Sequence, residues 1–425
     1  MASPTLMRRA LASPSRDTTT LTVMYAANEL TPAYVKAFEQ ANPDITVRVI
    51  NNDQTTFNSM LAAGKPPDIY RSEGFSSISY AVQGVFQDLT PYLAKSTLVK
   101  EADLAPVNNL YRWDGKTQGK GALYGLVKDW SLDNTLWYNA KLLKAAGYKL
   151  PSETESLSLT DMLAMAKKLT ITKSGQTAVY GFDMGWGWQT YTSWLMVIAQ
   201  AQGASLFSAD LKKANFTSPE VLKGLQFLVD YANAKVGTSP ILTDSTSPTG
   251  PVVAGRTALA AMGYWFGQQV ATDSHHLTDY IINAPAPHWG GTRLSPCVAG
   301  VGMSMTSGSK NKDAAWKLME WFIGGPPAID RVTGGWGLNS LKHLASQLPS
   351  KTAFDRERFR VVQNDIKYFK PLIVSPYADY NSMSIQLTTA ITQVLKGNAT
   401  VAAAGKTVEA AVNRLITQGI AQAGG

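Results

Sequence analysis

Hydrophobic and polar residues alternate in two short segments near the start of the chain, and a helical pattern lies between them. Leu21–Tyr25 and Ile45–Ile50 alternate with the period of two that strands show. Thr31 and Pro32 are typical of a helix start, and apolar residues recur at helical spacing over Tyr34–Ala41. A connection of this length joins parallel strands, so the chain is predicted to open with a β-α-β unit.

Similar patterns along the chain predict an alternating α/β protein. Strands are expected at 68–71, 123–127, 136–138, 280–282 and 300–305, and helices at 57–63, 140–146, 157–169, 219–234, 313–322, 384–395 and 401–418. In such folds ligands tend to bind beyond the carboxyl ends of the strands. Asn28 and Glu29 follow the first predicted strand and Glu73 follows a later one, so these residues are candidates for a binding site.

The composition is that of a folded chain. Of 425 residues, 45% are hydrophobic and 16% are charged, and no apolar stretch is long enough for a membrane-spanning helix. The net charge of +8 comes from scattered cations, because the longest basic clusters are pairs such as Lys167 and Lys168. These pairs form no stripe that could follow a phosphate backbone, so we expect no binding to nucleic acid.

Residues that carry common catalytic chemistry are sparse. The single cysteine, Cys297, excludes an internal disulfide and a multi-cysteine metal site, and we expect it to pack in a core. The four histidines lack metal-binding spacing, and no dinucleotide or nucleophile-elbow motif is present, so we predict no cofactor and no metal. Gly405-Lys406-Thr407 resembles the end of a P-loop, but Thr400 stands where its first glycine is required. We interpret Gly405 as a helix-breaking glycine at the surface.

Two carboxylates leave one enzymatic alternative open. Asp129 and Asp133 lie close in sequence beside Trp130, a spacing compatible with the acid pair of a glycoside hydrolase. Sequence spacing does not show whether the two carboxyl groups converge, and a surface or capping role is commoner for such residues. We therefore predict a protein that is not an enzyme and keep the hydrolase as the less favoured alternative.

The tryptophan content is the most unusual feature of the composition. The chain has 11 Trp and 17 Tyr, and several Trp lie in glycine-flanked segments where a core position is less natural. An indole face can cover the C–H face of a sugar ring, while carboxylates and amides bind its hydroxyls. The candidate ligand contacts are therefore Trp130, Trp186, Trp188, Trp265 and Trp336 among the aromatic residues, and Asn28, Glu29, Glu73, Asp129 and Gln189 among the polar ones.

Seven segments occur in an order and at separations that are typical of one family. They are Phe38–Val47 (FEQANPDITV), Ala62–Tyr70 (AAGKPPDIY), Gln87–Leu93 (QDLTPYL), Leu123–Leu126 (LYGL), Leu136–Gly147 (LWYNAKLLKAAG), Ala254–Leu259 (AGRTAL) and Ser309–Trp316 (SKNKDAAW). Together they resemble the extracellular solute-binding proteins of ABC importers, specifically the carbohydrate-binding group that includes maltose and trehalose binders. The resemblance covers nearly the whole chain from Leu21.

The resemblance implies an α/β, two-lobed periplasmic-binding-protein fold of the type II-like class, with hinged lobes and a central ligand cleft. It implies a carbohydrate ligand, the transmembrane permease of an ABC importer as partner, and an extracytoplasmic location; we expect a monomer. The N-terminal lobe is expected at 18–127 and 281–324, and the C-terminal lobe at 128–280 and 325–425. Residues 1–17 are expected to be a tail that is disordered or was added in cloning, without the apolar core of a signal segment.

The resemblance also implies roles for individual residues. The strand near Gly300 lacks the tryptophan that some disaccharide binders place there, so their specificity does not transfer directly. Two further functions stay open: binding of a non-sugar solute such as a polyamine or an anion by the same fold, and a structural or adhesive role at the cell surface. The matched positions are Glu29 and Glu73 after the first and third strands, Asp129 and Trp130 at the first crossing between lobes, Trp265 as a stacking residue, Trp336 in a glycine-rich loop facing the cleft, and Lys370 as a basic contact.

Overall fold

The computed structural model describes residues 18–186, 191–244 and 249–424. The predicted tail at 1–17 and two candidate contacts, Trp188 and Gln189, lie outside these ranges. In chain order the strands are β1 (Thr19–Met24), β2 (Ile45–Ile50), β3 (Ile69–Ser72), β4 (Arg112–Trp113), β5 (Ala122–Leu123), β6 (Leu126–Val127), β7 (Asp129–Trp130), β8 (Leu136–Asn139), β9 (Ile171–Lys173), β10 (Gln176–Val179), β11 (Leu259–Ala261), β12 (Ile281–Ala284), β13 (His288–Trp289), β14 (Thr292–Arg293), β15 (Ser295–Cys297), β16 (Gly302–Met305), β17 (Leu338–Asn339) and β18 (Phe369–Pro371).

Helices occupy much of the remaining chain, and over the described ranges no helix combines the length and the apolar character needed to cross a membrane. In chain order they are α1 (Pro32–Ala41), α2 (Gln54–Ala62), α3 (Gly74–Val82), α4 (Thr90–Leu93), α5 (Ala140–Ala145), α6 (Leu159–Leu169), α7 (Tyr191–Ala201), α8 (Pro219–Ala234), α9 (Gly250–Val253), α10 (Phe266–Thr272), α11 (Lys312–Gly324), α12 (Pro326–Gly334), α13 (Ala353–Asp365), α14 (Tyr380–Leu395) and α15 (Val401–Gln422).

The first sheet begins with the predicted β-α-β unit. β1 and β2 pair in parallel from Thr19 opposite Ile45 to Met24 opposite Ile50, and the Thr31 side chain caps α1 by accepting from the Tyr34 N–H. β3 extends the sheet in parallel beside β1, and β16 and β6 complete the order β2-β1-β3-β16-β6 with antiparallel pairing. The carboxyl ends of β1 and β3 therefore meet at one edge of the sheet.

A second sheet and a second apolar core form the other half of the molecule. β8 lies between β11 and β12, antiparallel to both, and the indole N–H of the fully buried Trp137 donates to the Met262 carbonyl. Helices α6, α7, α8, α14 and α15 contribute buried residues to one core, whereas α1, α11 and α12 pack with the first sheet in another. The chain thus folds as two α/β bodies with separate cores.

The structure groups two segments differently from the predicted lobe boundaries. β12, placed by the sequence at the start of the second N-terminal segment, pairs with β8 in the second sheet. α12 and the leucines from Leu338 to Leu348, which the predicted boundary at residue 325 puts in the C-terminal lobe, pack in the core of the first sheet. Alternation reveals a strand or a helix, but strand pairing and packing decide which body it joins.

Two further sequence interpretations concern Gly405 and Cys297. Gly405 is buried inside the unbroken helix α15, so its interpretation as a helix breaker at the surface is wrong. A Cβ at this position would lie 2.5 Å from the Phe216 carbonyl oxygen, so glycine permits a close helix contact here. Cys297 is fully buried in β15, as expected, and burial raises the pKa of its thiol.

Candidate functional site

A cavity of about 650 Å³ opens where the strand ends of the first sheet meet the segments that cross between the two bodies. β6 belongs to the first sheet, and the next residues continue into β7, which pairs with β17. The wall of the cavity is formed by Asn28, Glu29, Thr31, Tyr34, Arg71, Lys128, Asp129, Trp130, Ser131, Asp133, Trp265, Ala299, Gly300, Val301, Asp330, Arg331 and Trp336.

Three cations and three carboxylates alternate in a row along this cavity, five of them in its wall and Glu73 directly behind it, and we call this row the ion ladder. Its members are neutralised in pairs by their neighbours, so the row as a whole carries no net charge. In order, the N–O distances along it are 2.9 Å for Glu73–Arg71, 2.8 Å for Arg71–Glu29, 3.5 Å for Glu29–Lys128, 2.6 Å for Lys128–Asp129 and 3.6 Å for Asp129–Arg331.

The ion ladder fixes the charge of Glu29. Burial alone would raise the pKa of this carboxyl, but the charge of Lys128 and the hydrogen bond and charge of Arg71 lower the pKa to about 2. Arg71 donates to both Glu29 oxygens, from Nε at 3.1 Å and from Nη2 at 2.8 Å, which is a bidentate pair. Glu29 therefore remains a charged acceptor throughout the physiological pH range.

Arg331 closes the ladder from α12. Its Nη2 donates to the Phe322 carbonyl at 2.9 Å, and its guanidinium carbon lies 4.4 Å from the centre of the Phe322 ring. Burial lowers the pKa of this guanidinium, and among the described residues Nε and Nη1 find no hydrogen-bond partner. Both of these nitrogens are buried, and Nε lies 3.6 Å from the Asp129 carboxylate, so Asp129 and Phe322 fix the orientation of this guanidinium in the wall.

Indole rings form the apolar part of the wall. Trp336 is 52% exposed and follows Gly335, whose φ of 73° ends α12 in the left-handed conformation that glycine favours. Trp265 follows β11 and is partly exposed, whereas Trp130 is buried with its indole N–H donating to the Asn339 carbonyl at 3.2 Å. The rings of Trp265 and Trp336 are therefore the more accessible ones.

Asp133 lies at the back of the cavity among hydrogen-bond donors. Its carboxylate accepts from the Ser131 hydroxyl at 2.5 Å and from the Val298 N–H at 2.7 Å. Burial raises the pKa of Asp133 to about 6, although the hydrogen bonds from Ser131, Val298, Ala299 and Trp265 act in the opposite direction.

The structure brings together six of the candidate ligand contacts: Asn28, Glu29, Asp129, Trp130, Trp265 and Trp336. The wall also includes Asp133, the second carboxylate of the possible acid pair. Of the other described candidates, Glu73 lies one step behind the wall through its ion pair with Arg71. Trp186 is buried in the second core with its ring parallel to Tyr231 at 6.3 Å, and Lys370 is exposed on β18 beside β15. The cavity wall includes none of these three, and their roles as contacts stay predictions.

The three cations of the ion ladder were not among the candidates from the sequence. Arg71 lies one residue before the end of β3 and Lys128 immediately precedes β7, so a search for charged residues near strand ends could have found both. Arg331 had no such signal, because only the packing of α12 against the first sheet brings it to the cavity.

The match to a family model decides the class of this protein. The model of the bacterial extracellular solute-binding proteins matches residues 25–324, which is more than two thirds of the chain. The chain belongs to this family. The solute-binding protein therefore comes from a family of transport receptors rather than enzymes, and the resemblance seen in the sequence is confirmed. No curated protein sequence matches the chain.

Solved structures confirm the two-lobed fold of this solute-binding protein. An ABC substrate-binding protein from Listeria monocytogenes in complex with cycloalternan is 24% identical, with a TM-score of 0.78 over 94% of this chain and 99% of the other. A solute-binding protein from Thermotoga lettingae bound with α-D-tagatose is 23% identical, with a TM-score of 0.75 over 94% and 100%. The maltose-bound MalE3 of T. maritima is 18% identical, with a TM-score of 0.74 over 94% and 100%.

Proposed function

We propose that this protein captures a sugar in the cavity between its two lobes and delivers it to the membrane permease of an ABC importer. The observation that carries the proposal is the pairing of accessible indole rings with a charge-balanced row of hydrogen-bonding groups in one cavity. A sugar ring presents a C–H face to an indole and a rim of hydroxyls to carboxylates and guanidinium groups. Trp265 and Trp336 offer the first kind of contact, and Glu29, Asp129 and Arg331 offer the second.

The charge balance of the ion ladder favours a neutral ligand. A polyamine would need carboxylates without cationic partners, but within the ion ladder Glu29, Glu73 and Asp129 each lie within 3.6 Å of a cationic nitrogen. The wall holds two further carboxylates outside the ladder, Asp133 and Asp330. An anion would need a surplus of cations, and Arg71 and Lys128 are likewise paired. A neutral polyhydroxylated molecule can exchange hydrogen bonds with such a row without leaving a buried charge uncompensated.

The solved relatives support the same ligand class, because they are bound to cycloalternan, tagatose and maltose. We propose that Asn28, Glu29, Asp129, Trp130, Trp265 and Trp336 contact the sugar, with Glu73 supporting Arg71. We propose no catalysis, because Lys128 holds both oxygens of the Asp129 carboxylate, at 2.8 and 2.6 Å, in an ion pair. That pairing disfavours Asp129 as the proton donor of a hydrolase.

The lobe extents that we propose follow the two sheets. One lobe consists of 18–127 and 302–348, and the other of 128–299 and 349–424, with crossings near 128, 300 and 348. Closure of the lobes would bury a sugar from both sides, and the closed form would be selected because only it makes both sets of contacts. We propose that the protein acts as a monomer outside the cytoplasmic membrane, where the permease binds the closed form.

A thermal-shift screen tests the proposed function. The panel contains tagatose, maltose, mannobiose and cycloalternan, with spermidine as the matched non-sugar probe. A sugar present at about 100 times its Kd should stabilise the protein by about 2.7 kcal/mol, which raises the melting temperature measurably. A shift with spermidine alone would favour the polyamine alternative. Sugar product released when the protein is incubated with the same panel would favour a hydrolase. No melting shift with any sugar would contradict the proposal.

A further inference from the structure

The indole of Trp265 packs against an apolar neighbour at the cavity. The residue lies in the short turn between β11 and α10, and its ring meets Phe266 edge to face at 6.0 Å between ring centres. The ring is partly exposed and faces the cavity. A stacking surface at a binding site is held most precisely when a polar contact fixes the orientation of the ring in addition to packing.

That polar contact is the carboxylate of Asp133. The indole N–H of Trp265 donates to it, together with the Ser131 hydroxyl and the Val298 N–H. The Asp133 N–H in turn donates to the Pro296 carbonyl at 2.9 Å. One side chain therefore joins the turn after β7, the turn after β11 and the segment that leads from β15 toward β16.

The turn that carries Trp265 is built for this close approach. A Cβ on Gly263 would lie 2.1 Å from the Ser131 hydroxyl and 2.6 Å from the Asp133 Oδ1, so glycine lets the turn lie directly against the carboxylate. The charged and titratable groups on the three surrounding segments are Lys128, Asp129, the buried Tyr264 phenol and the buried Cys297 thiol. Lys128 is paired with Asp129 at 2.6 Å, and the pKa of Asp133 is set by burial and hydrogen bonds.

Keeping this carboxylate ionised costs folding free energy. The pKa of Asp133 in the folded protein is about 6, above its ordinary value of 3.8, because of burial. A raised pKa means that the group stabilises the fold below about pH 4 and that this contribution is lost as the pH rises through about 6. A group retained at such a cost beside a ligand cavity is typical of a functional site.

We propose that Asp133 is the positioning residue of the cavity: its carboxylate accepts the Trp265 indole N–H, holds the ring toward the cavity and links it to the segment at 296–299. Protonation of Asp133 turns one accepting oxygen into a donor, which opposes the indole N–H and releases the ring. The importance of this contact for sugar binding rests on the proposed function. The contact itself exists without a ligand, so it is tested without one.

The test follows the indole N–H of Trp265 by NMR in protein labelled with 15N-tryptophan. The Trp265→Phe variant identifies the signal by its disappearance, and the wild-type protein is titrated from pH 8 to pH 5. The expected result is a signal whose chemical shift moves with a midpoint near pH 6. In Asp133→Asn the signal should be displaced at pH 8 and should no longer titrate.

The Ser131→Ala variant is the matched control. It removes a neighbouring donor to the same carboxylate and leaves the indole contact in place, so the Trp265 signal should still titrate, with a higher midpoint. A Trp265 signal that is independent of pH in the wild type, or that is identical in Asp133→Asn, would overturn the proposal. If Asp133→Asn fails to fold, the wild-type and Ser131→Ala titrations decide the question alone.

Melting temperatures separate positioning from a purely structural role. At pH 8, Asp133→Asn should melt no lower than the wild type, since the substitution removes a buried charge that costs stability. A large loss of melting temperature at pH 8 with an unmoved Trp265 signal would contradict the positioning role. Failure of the sugar screen alone would leave these ligand-free results unchanged, so the two proposals fail independently.

Discussion

The charged side chains of the ion ladder stabilise one another only as a set. Glu29 is ionised because Lys128 and Arg71 outweigh its burial, and Arg71 is itself held between two carboxylates. Each charge is therefore fixed by a neighbour rather than by solvent. The same arrangement makes single substitutions costly, because removing one partner leaves another charge buried without compensation.

The first prediction concerns this dependence. Arg71→Met should lower the free energy of unfolding by about 3 kcal/mol, because Glu73 loses its partner and Glu29 keeps only the longer contact with Lys128. Urea unfolding measures the change. Arg360→Met is the control, since Arg360 pairs with Glu153 on the exposed surface and its loss should leave stability unchanged. Equal changes in the free energy of unfolding would show that the buried ion pairs of Arg71 contribute no more to stability than an exposed ion pair.

A second prediction concerns the indoles. Trp336→Ala should weaken sugar binding by about 2 kcal/mol, or roughly 30-fold in Kd, and Trp265→Ala by at least as much. Titration calorimetry with the sugar that gives the largest melting shift measures both. Because Trp336 is 52% exposed, its removal should leave the melting temperature nearly unchanged, and Ile385→Ala, at an exposed apolar position outside the cavity, is the control. Unchanged affinity would remove the substituted indole from the site.

At the scale of helices and strands, local sequence patterns predicted the bounds of several elements, but they did not predict the role of a single glycine. β1, α1, β2 and α8 begin and end within about two residues of their predicted bounds, because periodicity and caps are local properties. Gly405 shows the limit of this reasoning. In sequence it marks a break, but in the structure it lies inside α15 because the Phe216 carbonyl leaves no room for a side chain.

A third prediction tests this explanation with a glycine-to-alanine and an alanine-to-glycine substitution in the same helix. Gly405→Ala should gain about 1 kcal/mol in helix propensity but lose roughly 1–3 kcal/mol through the clash with the Phe216 carbonyl, giving net destabilisation. Ala402→Gly, at an exposed position of α15, should destabilise by about 1 kcal/mol through propensity alone. Thermal unfolding measures both. Stabilisation by Gly405→Ala would mean that propensity, not packing, governs the position.

At the scale of the whole molecule, the two cores define two bodies, and the cavity lies where the chain crosses between them. Its wall combines strand ends of the first sheet with crossing residues such as Asp129 and with Trp265 from the turn after β11. A ligand that touches both bodies stabilises whichever relative orientation lets it reach both. Binding should therefore change the shape of the molecule and not only its stability.

A fourth prediction follows for solution scattering. The sugar that gives the largest melting shift should reduce the radius of gyration of the wild-type protein, because closure brings the two lobes together. Trp265→Ala, measured at the same sugar concentration, should show a smaller reduction in the radius of gyration because a smaller fraction of the variant has sugar bound. A radius of gyration that does not change on saturation would contradict ligand-linked closure.

Sequence patterns alone were sufficient for the α/β class, for the bounds of elements such as β1, α1, β2 and α8, for the family, and for six candidate contacts that line the cavity, because these depend on local periodicity and on motifs in a fixed order. Contacts in the folded molecule were needed to show that β12 joins the second sheet and α12 the first core, and that Trp186 is buried. The same holds for the row that Arg71, Lys128 and Arg331 form with the acidic residues. Pairing, burial and charge neutralisation are contacts between distant segments, and no local pattern encodes them.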